Sequence, residues 1–179
     1  MTQIRNILLI TLLGLLLLPC RPSPVRAESR QPSESQINAA FVYNVIRYVT
    51  WPQSNSNTLL IGILGRGSLD RAWLELKGKT VHGKTLDVRK SDDLEDLIGC
   101  QIVFIGAPTR KNVSRILLVL HEHPILTICD ASGFAQSGGM VHLFTENEKI
   151  RFKVNLSAAR QSGLKISAQL LKLAKEVIE

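Results

Sequence analysis

Gln101-Ile102-Val103-Phe104-Ile105-Gly106 is the stretch that decides the fold. Four consecutive apolar residues, three of them β-branched, end at a glycine. A run this short and this uniformly apolar predicts a strand covered on both faces, as in a parallel sheet with helices on either side. Downstream, 112–121 carries Val113, Ile116, Leu117 and Leu120 on one side of a helix, and 124–129 is again a strand. Upstream, 59–64 is a continuous apolar strand, and Ser68 is placed to cap a short helix bearing Leu69, Ala72, Trp73 and Leu76. Gly78 ends that helix, because glycine accepts the left-handed terminal conformation. Residues 84–89 alternate as a strand, and 94–98 form a helical turn. Strand, helix, strand, helix, strand is the order of right-handed parallel α/β units.

The flanks differ from this pattern. Ser33-x-x-Gln36 forms a capping box ahead of a first helix, on which Ile37, Ala40, Phe41, Val45 and Tyr48 follow helical spacing. That helix should stop near Thr50, since Pro52 keeps the preceding residue out of helical angles. Asn44 interrupts its apolar face. Towards the other end, 140–145 and 149–154 read as an antiparallel hairpin. Asn155 or Ser157 then caps a helix ended by Gly163, and Ser167 opens a last helix with Leu170, Leu171, Ala174, Val177 and Ile178 in one stripe. Lys165, Lys172 and Lys175 lie opposite that stripe, which buries against the sheet more readily than it lies on a membrane surface.

The beginning of the chain predicts export. Arg5 precedes an apolar run over 7–18, and Val25-Arg26-Ala27 places small or modest side chains before a cleavage point. Twelve apolar residues fall short of the roughly 20 needed to span a bilayer, so 1–27 is expected to be a cleavable signal that leaves no membrane-inserted segment. A lipoprotein cysteine at Cys20 is the weaker alternative, because Pro19 stands where a small residue is wanted. Residues 28–34 are then a flexible N-terminal segment and 35–179 a single domain in the periplasm. Removing Arg5, Arg21 and Arg26 lowers the net charge from +7 to +4. The remaining bases are dispersed, without the clusters and aromatic platforms of a nucleic-acid surface.

Cys100 and Cys129 remain after processing. On adjacent parallel strands they would sit at opposite ends, about five residues of ~3.3 Å apart, beyond the ~7 Å reach of a disulfide. Two buried thiols are therefore expected.

The sequence offers no obvious active site: there is no G-x-S-x-G, H-E-x-x-H or C-x-x-C, and no catalytic residue, cofactor or metal site is assigned. His121 and His123 flank Glu122 without a third ligand in view. His82 and His142 read as structural. Gly65-Arg66-Gly67-Ser68 follows a strand and opens a helix, where free N–H groups favour an anion. Only part of the dinucleotide-binding spacing is present, so Gly65, Gly67, Ser68 and, after another strand, Asp130 are candidates for a small ligand or anion. The plain reading of each is a tight turn or cap.

Three segments together carry a family likeness. They are Ala39-Ala40-Phe41-Val42-Tyr43-Asn44 leading to Tyr48-Val49-Thr50-Trp51-Pro52, then Gly133-Phe134-Ala135-x-x-Gly138-Gly139-Met140, and Arg151-Phe152-Lys153-Val154-Asn155-Leu156 through Ala158-Ala159-Arg160 to Gly163-Leu164-Lys165-Ile166-Ser167-Ala168-Gln169-Leu170-Leu171. In their order and spacing the chain resembles the YfiR family of periplasmic proteins. The resemblance implies a Rossmann-like α/β domain, with a mostly parallel central sheet, flanking helices and a C-terminal antiparallel hairpin. It also implies a regulator and not an enzyme: a protein that binds the periplasmic region of an inner-membrane sensor or diguanylate cyclase, represses it and lowers cyclic-di-GMP. A homodimer is implied too, and Tyr48, Trp51, Pro52, Gly138, Gly139 and Met140 become candidate partner contacts. The same residues have a folding explanation, since Trp51-Pro52 can close the first helix and Gly138-Gly139 can make a tight approach to the hairpin. With two cysteines, a multi-disulfide arrangement does not carry over. The alternative function is a periplasmic small-ligand sensor resembling transporter-associated binding proteins.

Overall fold

The computed structural model describes residues 32–52, 56–65, 69–106 and 112–179. The expected signal 1–27, most of the segment 28–34, and Gly67 and Ser68 lie outside the described residues. Helix α1 (Glu34–Ile46) starts from the expected capping box: the Ser33 hydroxyl accepts from the Gln36 N–H, and the Gln36 side chain accepts from the Ser33 N–H. Glu34, placed by sequence in the flexible segment, is therefore already helical. The remaining elements are β1 (Val49–Thr50), β2 (Thr58–Leu64), α2 (Arg71–Leu74), β3 (Thr80–Val81), β4 (Lys84–Ser91), a 3₁₀ turn (Glu95–Leu97), β5 (Ile102–Ile105), α3 (Val113–Leu120), β6 (Leu126–Cys129), β7 (Val141–Glu146), β8 (Lys149–Asn155), α4 (Leu156–Gln161), β9 (Lys165–Ile166), α5 (Ala168–Leu173) and β10 (Glu176–Ile178).

Eight strands form one sheet in the order β10-β8-β7-β6-β5-β2-β4-β3. The β4-β2-β5-β6-β7 block is parallel, and β7-β8 is the antiparallel hairpin. All four residues of β5 are buried, as its uniform apolarity requires. Registers Ile61↔Ile102 and Ile102↔Leu126 stack large apolar side chains across three neighbouring strands. One face of the sheet packs against Ala39, Val42 and Ile46 of α1, Trp73 of α2, Ala158 and Ala159 of α4, and Leu170 of α5. The other face packs against Val113, Leu117 and Leu120 of α3 and Leu97 of the 3₁₀ turn. Full burial of one such Leu or Ile contributes about 1.5–3 kcal/mol.

Five details depart from the sequence reading. Helix α1 ends at Ile46, ahead of the expected stop near Thr50, and Val49 and Thr50 form β1, so Tyr48 lies beyond the helix. The N-cap position of α2 (Arg71–Leu74) is Asp70, whose side chain makes no capping bond, so the helix starts later than the sequence reading placed it. Asn44 is exposed, and its side-chain amide donates back to the Ala40 carbonyl, so it does not break the buried face. Lys165 sits on β9, paired with β1, outside the last helix. The last helix also stops at Leu173: Ala174 turns extended, the Lys175 N–H bonds to the Phe152 carbonyl, and β10 pairs in parallel with β8. Val177 and Ile178 therefore belong to a strand that covers the edge of β8, where unpaired N–H and C=O groups would otherwise stand.

Candidate functional site

The parallel strands place their carboxyl ends together. β4 lies on one side of β2 and β5 on the other, so the connections leave the sheet in opposite directions there. Such a divergence opens a crevice at the strand ends. A cleft of about 1220 Å³ occupies this place, with Gly65 at the end of β2, Gly106 after β5 and Asp130 after β6 on its walls. Two residues singled out from sequence, Gly65 and Asp130, are thus brought together. Trp73 and Phe104, ring centroids 5.1 Å apart, form an apolar floor. Asn38, on the buried face of α1, also lines the cleft. Sequence reading did not single it out, since one Asn in a helix carries no distinguishing pattern. It also missed the run Asp92-Asp93-Leu94-Glu95, although its position just after a parallel strand was a usable signal.

The residues taken from the family likeness separate into two places. The Tyr48 carbonyl accepts from the Ser167 N–H, β1 pairs with β9, and Pro52 lies against Gly163. The first and third likeness segments are therefore bonded to each other. The Trp51 indole donates to the Gln101 carbonyl at 2.9 Å. Gly138, Gly139 and Met140 precede β7 instead, with the Met140 N–H bonded to the Thr127 hydroxyl. Met140 is 2% exposed and belongs to the core. Gly139 lies directly under the Phe134 ring, with no room for a Cβ. Gly138 has φ +97, which favours glycine.

Tyr48 also borders a second concavity of about 360 Å³, with Phe41, Val45, Ile150, Phe152, Leu170 and Leu173 around it. Phe41 and Phe152 meet edge to face at 5.4 Å. Leu173 is 61% and Ile150 40% exposed, so two large apolar side chains face solvent beside this groove.

Three buried titratable groups lie elsewhere. Cys100 and Cys129 are free and buried, as expected from their places at opposite ends of paired strands. Desolvation pushes both thiols up to about 11. His142 is held below the usual imidazole range, chiefly by burial and then by the Lys153 charge, with Asp130 acting the other way. Its Nδ1 is sealed from solvent without a hydrogen-bond partner. Among the described residues, no group of three or more His, Cys, Asp or Glu side chains could hold a metal ion, and no helix is long and apolar enough to cross a membrane.

Among solved structures, the chain is similar to a conserved domain protein from Vibrio cholerae O1 biovar El Tor strain N16961. That pair has 11% identity and a TM-score of 0.52 over 81% of this chain and 60% of that one, a likeness of fold alone. An ABC domain from Streptococcus pneumoniae, solved with L-Trp, matches at 12% identity and a TM-score of 0.49 over 80% of this chain. The chain spans 60% of the length of each of these two. Residues 35–175, from the first turn of α1 through α5, match the YfiR/HmsC-like family (DUF4154), whose members are periplasmic, non-enzymatic regulators of cyclic-di-GMP signalling. The chain belongs to the YfiR/HmsC-like family.

Proposed function

We propose that this protein is exported to the periplasm and restrains an inner-membrane diguanylate cyclase by binding the cyclase's periplasmic region, so that cyclic-di-GMP falls. The observation that carries the reading is the family match over 35–175, which takes in every element that builds the two faces of the sheet except β10. The docking surface is the apolar groove beside Tyr48, where Ile150 and Leu173 stand exposed. Interface centres are apolar and depleted of charge, and this groove has that character. Trp51 and Pro52 follow β1 and anchor its end, Trp51 through the Gln101 carbonyl and Pro52 against Gly163, beside the β1–β9 ribbon that adjoins Tyr48. Gly138, Gly139 and Met140 serve the same surface indirectly, by fixing the start of the hairpin that presents Ile150 and Phe152. Because the chain sits outside the cytoplasm in this reading, its effect on a cytoplasmic messenger passes through the membrane-spanning partner.

The test is deletion of the gene together with affinity capture of the tagged protein from solubilised membranes. Cyclic-di-GMP rises on deletion, and a membrane cyclase with a periplasmic region is recovered. Unchanged cyclic-di-GMP with no cyclase in the captured material would sink the proposal.

A further inference from the structure

His142 is the one residue among those described with a polar side-chain atom sealed from solvent and without a hydrogen-bond partner. That atom is Nδ1, and the residue is 7% exposed at the second position of β7. Buried polar groups are paired almost without exception, and leaving one unpaired costs stability. An apolar side chain would fill this place without that cost. Histidine is also the side chain whose charge changes most readily near neutral pH.

The surroundings of the ring suit its neutral form. On β6 the register partner of His142 is Cys129, a neutral thiol, with Asp130 following it. On β8 the partner is Lys153, whose Nζ is bonded to Glu176 of β10. Phe144 lies along β7, its ring centroid 5.4 Å away, and Arg151 stands opposite Phe144 on the same face. Glu146 and Lys149 pair further along the hairpin, with Glu146 bonded to Lys175. Residues 131–139, which lead from Asp130 towards β7, carry no titratable side chain. An imidazolium here is repelled by Lys153, which Glu176 holds in place, and Asp130 offsets that repulsion only in part. The strain falls on β8, and successive residues of a strand face opposite ways. Lys153 meets His142 on one face of β8, while Ile150 and Phe152 border the apolar groove on the other. The Phe152 carbonyl also accepts the Lys175 N–H, which links β8 to the end of α5 and so to Leu173.

We propose that protonation of His142 rearranges the groove beside Tyr48: the new charge pushes Lys153 and its strand away from β7, moves Phe152 and Ile150 with it, and releases the docked partner. The release rests on docking of the cyclase at this groove; the rearrangement does not. In the closed arrangement burial and Lys153 hold the imidazole below its usual range. Opening admits water to the ring and restores the ordinary histidine pKa of about 6.5. The open arrangement therefore binds the proton more readily, and its share grows as pH falls below about 6.5.

Methyl-labelled protein reads the groove by NMR without any partner. Between pH 7.5 and pH 5.0 the Ile150 and Leu173 methyl signals shift along the same curve as the His142 ring signals. Leu118, 74% exposed on α3, keeps its position. His142→Gln abolishes the groove shifts. Lys153→Met moves the His142 and groove midpoints together to higher pH, because a repelling charge is gone, and it carries the test if His142→Gln does not fold. The rearrangement is overturned if His142 does not titrate in this range, or if the groove methyls stay fixed while it does. It is equally overturned if they shift as much in His142→Gln, if their midpoint does not follow that of His142 in Lys153→Met, or if Leu118 moves with them as in general acid unfolding. Detergent-solubilised cyclase then tests the release. Binding weakens about tenfold from pH 7.5 to pH 5.0 for the parent and stays level for His142→Gln. A parent that binds equally at both values, or an equal loss in the variant, overturns the release. No binding even at pH 7.5 overturns cyclase docking instead, and the methyl shifts still decide the rearrangement.

Discussion

The Trp51 indole N–H donates to the Gln101 carbonyl, fifty residues away, at 2.9 Å. The same carbonyl accepts the Leu126 N–H, while the Gln101 side chain accepts the Leu60 N–H at 2.8 Å. One residue just before β5 thus ties together β2, β6 and the segment that follows α1. Trp51→Phe keeps the ring packing and removes one of the two bonds to that carbonyl. Its cost is about 1 kcal/mol, while Trp51→Ala, which also empties a half-buried volume, costs about 2–4 kcal/mol. Urea unfolding of the two variants separates these contributions.

Gly139 faces the ring of Phe134 so closely that an added Cβ would fall 2.2 Å from it. Gly139→Ala therefore forces either the ring or the backbone to move, and destabilises by about 3 kcal/mol or more. Adding Phe134→Leu makes room and recovers part of the loss, which a double-mutant cycle of urea midpoints measures.

Both cysteine thiols are raised to about 11 by burial. At pH 8 about one thiol in a thousand is thiolate. Native protein resists iodoacetamide, while protein in 6 M guanidinium takes two labels on Cys100 and Cys129. Mass spectrometry of the alkylated peptides checks this, and a Cys100–Cys129 bridge would appear as neither residue labelling in either state.

His142 has a folded pKa below its unfolded value, so the unfolded chain binds the proton more readily. Stability is unaffected by this residue above the ordinary histidine pKa of about 6.5. It falls as pH drops below that value, and the loss levels off once pH passes beneath the folded pKa. The groups facing the ring are Lys153, which strengthens the effect, and Asp130, which opposes it. His142→Leu flattens that part of the curve in urea titrations run from pH 8 to pH 5, and an unchanged slope would remove His142 as its source.

Leu173 is 61% exposed beside the apolar groove, so Leu173→Glu leaves stability within about 0.5 kcal/mol. If the groove docks a membrane partner, the same change raises cyclic-di-GMP towards the level of a deletion while the protein accumulates normally. Immunoblotting alongside messenger quantification distinguishes lost docking from lost protein.

How much of this was legible beforehand can be argued element by element. The strand 101–106 declared itself because a short, uniformly apolar, β-branched run is stable only when covered on both faces, and the structure buries all of β5. The hairpin and the Ser33 capping box were equally local, since each depends on residues within a few positions of one another. The tail was misread for the opposite reason. Leu170, Leu171, Ala174, Val177 and Ile178 satisfy helical spacing, yet Val177 and Ile178 pair with β8, whose open edge lies more than twenty residues earlier in sequence. Periodicity carries no information about a vacant strand edge.

The candidate sites divide in the same way. Sequence alone determined the parallel α/β arrangement, the opposite placement of Cys100 and Cys129, and, through three spaced segments, the family. Only the tertiary structure decided what those segments do: β1 and β9 are bonded to each other, while Gly139 and Met140 are packed inside. Only the tertiary structure placed Asn38, Asp70, Asp92 and Asp130 around one cleft. These residues come from separate segments that meet where the strand order reverses, and their chemistry exists only once long-range strand pairing has brought them together.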